Sequence, residues 1–153
     1  MRILYIGFDI EGVGGIATYS RHQVRALKAL GCEVFAMSID KQERFAERGL
    51  VDQRFRFASR AGAVARALGT VARRRFDALM VNHVYLAGLG LVAKRLRGTP
   101  YSINVYNIDI LCKLPRLREL AFSQANLVLA DCRYTIENMP RFHPRVQIGR
   151  AHV

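Results

Sequence analysis

The sequence is short of carboxylates. It holds 12 acidic residues against 24 lysines and arginines, leaving a net charge of +12. A chain so poor in acid is drawn to anions: nucleic acid, acidic lipid headgroups or phosphorylated small molecules. Cysteine is scarce too. Cys32, Cys112 and Cys132 are widely spaced and form no CxxC pair, which argues against a disulfide framework or a zinc site. They read as reduced, partly buried thiols. No stretch approaches the ~20 apolar residues of a membrane span. Internal repeats and low-complexity segments are missing, and so are HExxH, GxSxG and GxxxxGKS/T. Residues 1–8 are apolar but meet Asp9 and Glu11 at once, without the apolar core or cleavage site of a signal peptide. They read as a buried first strand, and a cytoplasmic protein is the expectation.

What is present describes a folded domain. The chain has 153 residues, 51% hydrophobic and 24% charged, a length for one domain rather than two. A domain of this size buries roughly 70% of the surface its unfolded chain exposes, so its core needs no staple. Short apolar runs alternate with helical periodicity. Strands are expected at 2–8, 33–39, 77–83, 101–105 and 127–130. A first helix is expected from Ile16 to Leu30, with Ile16, Val24, Leu27 and Leu30 inward, Arg21, Arg25 and Lys28 off that face, and Gly31 closing it. A second is expected from a Ser59 cap to Arg75, with Val64, Leu68 and Val71 on one face. A third carries Leu86, Leu89, Ala93 and Leu96 and closes at Gly98. A fourth spans 116–124, and a short fifth ends at Pro140. Segment 40–57 is polar, Arg-rich and unassigned. The alternation predicts right-handed βαβ units, giving an α/β, Rossmann-like parallel sheet with helices on both faces. Ligands in such sheets bind at the carboxyl ends of strands.

One loop at such an end carries chemistry. Gly12-Val13-Gly14-Gly15-Ile16-Ala17 joins the first strand to the first helix. Paired glycines let a backbone approach a ligand closely, and the N–H groups and dipole of the helix start favour a phosphate. The alternative is a tight turn that needs glycine for its own geometry. Gly12-x-Gly14-x-x-Ala17 also fits a relaxed dinucleotide fingerprint, although Asp9-Ile10-Glu11 intervene after the strand. The acidic partner is poorly placed for that reading: Glu33 comes early and Asp40 late.

Several segments in order resemble the amino-terminal domain of family 4 retaining glycosyltransferases. Residues 1–6, Gly14-Gly15-Ile16-Ala17-Thr18-Tyr19-Ser20, and the segment from Arg25 to Val34 are similar to that family's first strand, GG loop and "LaxxLxxxGHeV" helix. Asp77-Ala78-Leu79-Met80-Val81-Asn82-His83 resembles its "pDvvhvh" strand. The segment from Ala125 to Thr135 resembles "AdlviavSryt", with Cys132 in place of the usual serine. Residues 101–109 resemble "yvvtvHGxD", with Tyr106 for the usual histidine, Asn107 for the glycine and Asp109 conforming.

The resemblance implies the amino-terminal half of a GT-B fold over residues 1–146, with the donor-binding domain not in this chain. The parent enzyme would move a sugar from a nucleotide-diphosphate sugar to a glycan or lipid-linked acceptor with retention. Gly14 and Gly15 would approach the donor phosphates, while His83, Tyr106, Asn107 and Asp109 would line the acceptor or sugar side. No catalytic nucleophile can be named. No metal or other cofactor is implied, because helix ends and basic side chains stabilise the leaving phosphate. The chain alone is expected to be inactive. Other readings are a dinucleotide-binding domain of an NAD(P)-dependent oxidoreductase and a stand-alone acceptor- or lipid-binding module.

Residues 53–76 hold seven arginines and no acid. Arg60, Arg66, Arg73 and Arg74 make an anionic membrane surface a partner to consider, which would place the protein peripherally on the inner membrane face. The alternative is a solvated helix face. Nucleic acid is not expected, since aromatic residues are sparse there. His22 is expected to be exposed, and His143, between prolines, is uninformative. Residues 147–153, Gln-Ile-Gly-Arg-Ala-His-Val, can be encoded CAG ATC GGA AGA GCA CAC GTC, which resembles a sequencing-library adapter. They are read as a non-native tail and carry no functional weight.

Overall fold

A computed structural model describes residues 1–41, 45–56, 60–106, 112–144 and 146. Its fold is an open, parallel, six-stranded α/β sheet of the Rossmann-like kind. The chain divides into two compact units, Met1–Leu79 and Met80–Val153.

In the first unit the strands run in the order β3-β2-β1. β1 (Arg2–Phe8) is buried from Ile3 to Phe8, the pattern of a strand covered on both faces. It pairs in parallel with β2 (Glu33–Asp40), Arg2 opposite Glu33 and Phe8 opposite Ile39. β2 pairs in parallel with β3 (Gln53–Arg56). β3 lies in the segment that hydropathy left unassigned. It alternates half-buried Gln53 and Phe55 with exposed Arg54 and Arg56, so it has no apolar run to announce it.

α1 (Gly15–Ala29) ends where expected, with Gly31 at φ 78. Its buried stripe is Ala17, Ser20, Arg21 and Val24. Of the inward face expected from sequence only Val24 is fully buried, whereas Leu30 is 79% exposed. The buried face is rotated toward Arg21, because its guanidinium finds carbonyl partners inside at Ile10 and Gly12. α2 (Arg60–Arg73) shifts likewise. Ala63, Ala67 and Val71 face the core, and Val64 is exposed. Four-residue spacing of small side chains lets the helix sit close to its neighbours. The Ser59 cap lies outside the described residues.

In the second unit the strands run β4-β5-β6. β4 (Ala78–Val81), within which the unit boundary falls, is shorter than the strand expected at 77–83. The chain turns at His83 into a single 3-10 turn, Val84–Leu86, and then α3 (Ala87–Arg97). Gly98 closes α3 in the left-handed region at φ 68, its N–H donating to Lys94 O at 2.9 Å. Leu86, Leu89 and Ala93 are buried as expected, but Leu96 is exposed. β5 (Tyr101–Val105) is buried throughout and pairs in parallel with β6 (Leu127–Ala130). Between them lies α4 (Arg116–Ser123).

α5 (Arg133–Phe142) does not stop at Pro140 but passes through it. Proline removes one N–H, yet the ladder resumes when His143 N–H donates to Met139 O at 2.9 Å. His143, uninformative in sequence, is fully buried. Its Nδ1 lies 2.8 Å from Glu119 Oε2, and its ring meets Phe122 edge-on, tying the end of α5 to α4.

Tyr101 is buried, and its hydroxyl donates to Ala121 O. Burial pushes the phenol up to about 12. The neutral form is therefore favoured in the fold. Its contribution to stability is complete below the ordinary tyrosine value of ~10 and disappears as pH climbs toward 12. Burial raises the Tyr5 phenol further still, so alkaline titration followed by tyrosinate absorbance is expected to show two late tyrosines, and Tyr101→Phe is expected to remove the earlier of them.

Candidate functional site

The loop after β1 is built around a tight turn. Asp9 sits at φ 44, and Gly12 N–H donates to Asp9 O at 2.8 Å. A Cβ on Gly12 would lie 2.9 Å from Asp9 Cβ, so this glycine is required by packing. Asp9 Oδ1 accepts from Lys41 N–H at 2.6 Å. Glu11 is fully buried. Its carboxylate accepts from Val51 N–H at 3.0 Å and from Leu50 N–H, and it pairs with Arg54. Its carbonyl accepts from Ala46 N–H at 2.9 Å. Backbone and side chain of this one residue thus hold Ala46, Leu50, Val51 and Arg54 against the loop.

Arg21 braces the loop from α1. It donates to Gly12 O at 2.5 Å, to Ile10 O at 3.4 Å and to Thr18 Oγ1 at 2.9 Å. Sequence reasoning missed both Glu11 and Arg21, since each read as surface charge. A clue for Arg21 was its phase: it falls four residues after Ala17 and three before Val24.

Gly14 and Gly15 stand at the open end of this scaffold, both exposed. Gly14 has φ 130 and ψ 168, a conformation side chains rarely adopt. It is the N-cap of α1, and no side chain caps the helix. The intrahelical ladder begins with Thr18 N–H to Gly14 O at 2.9 Å, leaving the first-turn N–H groups at the helix mouth. A Cβ on either glycine would meet nothing within 4 Å. Asp40, the acid a dinucleotide would need, is the last residue of β2. Its carboxylate is engaged by Ser38 Oγ and by Arg54 at 3.3 Å. Burial raises its carboxyl above the ordinary value, Ser38 opposes that, and the charge of Asp9 adds to it.

In the second unit His83 and Tyr106 come together beyond the ends of β4 and β5, with ring centroids 6.0 Å apart. His83 is 7% exposed. Its Nδ1 accepts from Tyr85 N–H at 3.3 Å, capping the 3-10 turn, and its ring stacks on Tyr85 at 4.9 Å. Arg118 sits over the same Tyr85 ring at 4.4 Å. Asn107 and Asp109 lie outside the described residues.

Cys132 is the N-cap of α5 but makes no cap hydrogen bond. Its Sγ lies 3.2 Å from Thr135 Oγ1, which donates to Asp131 Oδ1 at 2.9 Å. The thiols are more open than expected: Cys112 and Cys132 are exposed and only Cys32 is half-buried. His22 is exposed on α1. Arg66, Arg73 and Arg74 are exposed on and just after α2, with Arg74 over the Phe35 ring at 4.6 Å. The side chain of Arg60 lies outside the described set.

The fold is a parallel α/β sheet whose first helix opens at an exposed glycine pair without a side-chain cap. Residues 14–148 match the glycosyl transferase 4-like domain, and the chain belongs to that family. No curated protein sequence matches it. Among solved structures it is similar to MurG of Acinetobacter baumannii, with 20% identity and a TM-score of 0.52, over 84% of this chain and 40% of that one. It is also similar to sucrose-phosphate synthase of Thermosynechococcus elongatus, with 10% identity and a TM-score of 0.67, over 96% of this chain and 47% of that one. These likenesses show the fold. The chain spans less than half the length of either structure.

Proposed function

We propose that the chain is the acceptor-side, amino-terminal domain of a retaining GT-B glycosyltransferase. In this reading the complete enzyme moves a sugar from a nucleotide-diphosphate sugar to a glycan or lipid-linked acceptor. A second domain supplies most of the donor site, so the chain alone does not transfer sugar. The observation that carries the reading is the exposed, uncapped Gly14-Gly15 start of α1 in a chain of this family. Its N–H groups would meet the donor diphosphate as charge builds on the leaving group, and the brace from Arg21 keeps them in place without reorganisation. The acceptor side falls to His83 and Tyr106, together with Asn107 and Asp109. A phenol stands at Tyr106 where the family pattern has histidine, so that position offers a neutral hydroxyl rather than an imidazole. The reading needs no metal.

Exposed Arg66, Arg73 and Arg74 support work against an anionic membrane face on the cytoplasmic side. No helix among the described residues is long and apolar enough to cross a membrane.

The test uses the protein carrying both domains. A side chain at Gly15 meets open space, so Gly15→Val is expected to fold normally while blocking phosphate approach. A loss of about 100-fold in kcat/KM for the nucleotide sugar is expected, the scale of removing preorganised donors. His83→Ala is expected to raise the acceptor KM with little change for the donor. Unchanged kcat/KM in Gly15→Val would remove the glycine loop from donor binding.

A further inference from the structure

We infer that the groove between α2 and β3 is a binding site for a phosphorylated polyol, separate from the glycine loop. A cavity of about 480 Å³ opens there, within the range of small-molecule pockets. Arg66, Gly69, Thr70 and Arg73 line it from α2, Arg74 follows just after, and Gln53 faces it from β3. Helical spacing puts 66, 69, 70 and 73 on one side. Four carboxylates of the first unit are taken by other arginines: Glu11 and Asp40 by Arg54, Glu47 by Arg25, Glu33 by Arg2. Among the described residues Arg66 and Arg73 meet none. Guanidinium groups gathered on one groove without an acid repel each other, and their planar forks match the oxygens of a phosphate.

The second half of the ligand is read from Gln53. Its Oε1 is buried and accepts no hydrogen bond among the described residues. Buried acceptors are normally satisfied, so this one calls for a donor, which a ligand hydroxyl would supply once the Gln53 amide turns toward the groove it lines. Thr70 Oγ1 spends its proton on Arg66 O at 2.9 Å and keeps lone pairs for a second donor. Guanidinium donors for an anion beside acceptors for hydroxyls describe a phosphate ester of a polyol rather than an inorganic anion. Gly69 leaves the room, since a Cβ there would meet nothing within 4 Å. The inference does not depend on sugar transfer.

The ligand has two sources, a soluble metabolite or a lipid headgroup, and the test separates them. Glycerol phosphate is titrated into the 153-residue chain by calorimetry, and phosphatidylglycerol vesicles are tested by sedimentation. Saturable glycerol phosphate binding is expected, weakened about tenfold or more in Arg66→Ala/Arg73→Ala by the loss of charge-assisted hydrogen bonds. Gln53→Ala is expected to weaken glycerol phosphate several-fold and leave inorganic phosphate unchanged. Gly69→Leu keeps every charge, fills the groove and suits a helix, so it is expected to abolish binding in a folded chain, as circular dichroism would show. If vesicles bind and Gly69→Leu releases them, the site stands with a lipid headgroup as its source. The inference is overturned if vesicles hold wild type and Gly69→Leu equally while glycerol phosphate does not compete. It is also overturned if nothing binds saturably, or if Gln53→Ala leaves glycerol phosphate binding intact.

Discussion

Glu11→Ala is expected to lower folding stability by about 3–5 kcal/mol, the cost of breaking a buried ion pair by removing one partner. Urea unfolding monitored by circular dichroism would read it as a fall in midpoint. The size follows from what the carboxylate holds. Glu11 is fully buried, accepts from Leu50 and Val51 N–H groups, and pairs with Arg54, whose side chain is 33% exposed. Burial already pulls the Arg54 guanidinium down from its ordinary value, so that cation has given up solvent for this partner. Removing the carboxylate leaves the arginine and two backbone donors facing each other. Glu11→Gln should recover part of the loss, since its carbonyl can stand at Oε1 and accept from both amides while its NH2 group faces Arg54 in place of a carboxylate oxygen. A loss in Glu11→Ala below about 1 kcal/mol would class the pair with solvated surface bridges and remove its role as the loop's anchor.

Gly90→Ala is the second large effect. A Cβ there would sit 2.2 Å from Tyr101 Cδ2 and 2.6 Å from its Cγ. The ring has nowhere to go, because its hydroxyl is tied to Ala121 O and Lys94 Nζ stands 5.9 Å from its centroid. Overpacking of a core commonly costs about 1–3 kcal/mol and occasionally more. Alanine's advantage over glycine in a helix returns at most about 1 kcal/mol, so the net sign is destabilising. Gly62→Ala and Gly69→Ala give the contrast, since a Cβ at either meets nothing within 4 Å. Thermal unfolding is expected to drop for the α3 variant and to rise slightly for the two α2 variants. Combining Gly90→Ala with Tyr101→Ala should cost less than the sum of the single changes. Additive losses would show that the two residues do not press on one another.

The sequence was most legible where one side of an element decides its own fate. β5 and β6 fall at the expected residues because short apolar runs between turn signals leave a buried strand few alternatives. Gly31 and Gly98 closed their helices because positive φ selects glycine locally. The glycine mouth was legible for the same reason, whereas the approach of His83 to Tyr106 depends on β4 and β5 lying side by side, which no local pattern states. The illegible features have partners far away in sequence. β3 reads as a polar stretch until β2 lies beside it. Arg21 and Glu11 look like surface charges until their carbonyl and amide partners are in place, 9 to 40 positions away. His143 reads as a loop residue until Glu119 and Phe122 close around it. Gln53 gave no hint of its buried oxygen, because burial there depends on α2 packing over a strand that periodicity did not reveal.

β3 ends the strand order of its unit, so its outer backbone groups have no partner strand among the described residues. Such an edge invites another chain to add itself. Here it is only four residues long, Arg54 and Arg56 project from it, and Arg54 lies over the Phe45 ring at 4.5 Å. An incoming strand would have to bring its own backbone past two guanidinium groups and displace one from an aromatic face. The arginines that give the first unit its charge therefore also guard its open side against strand addition.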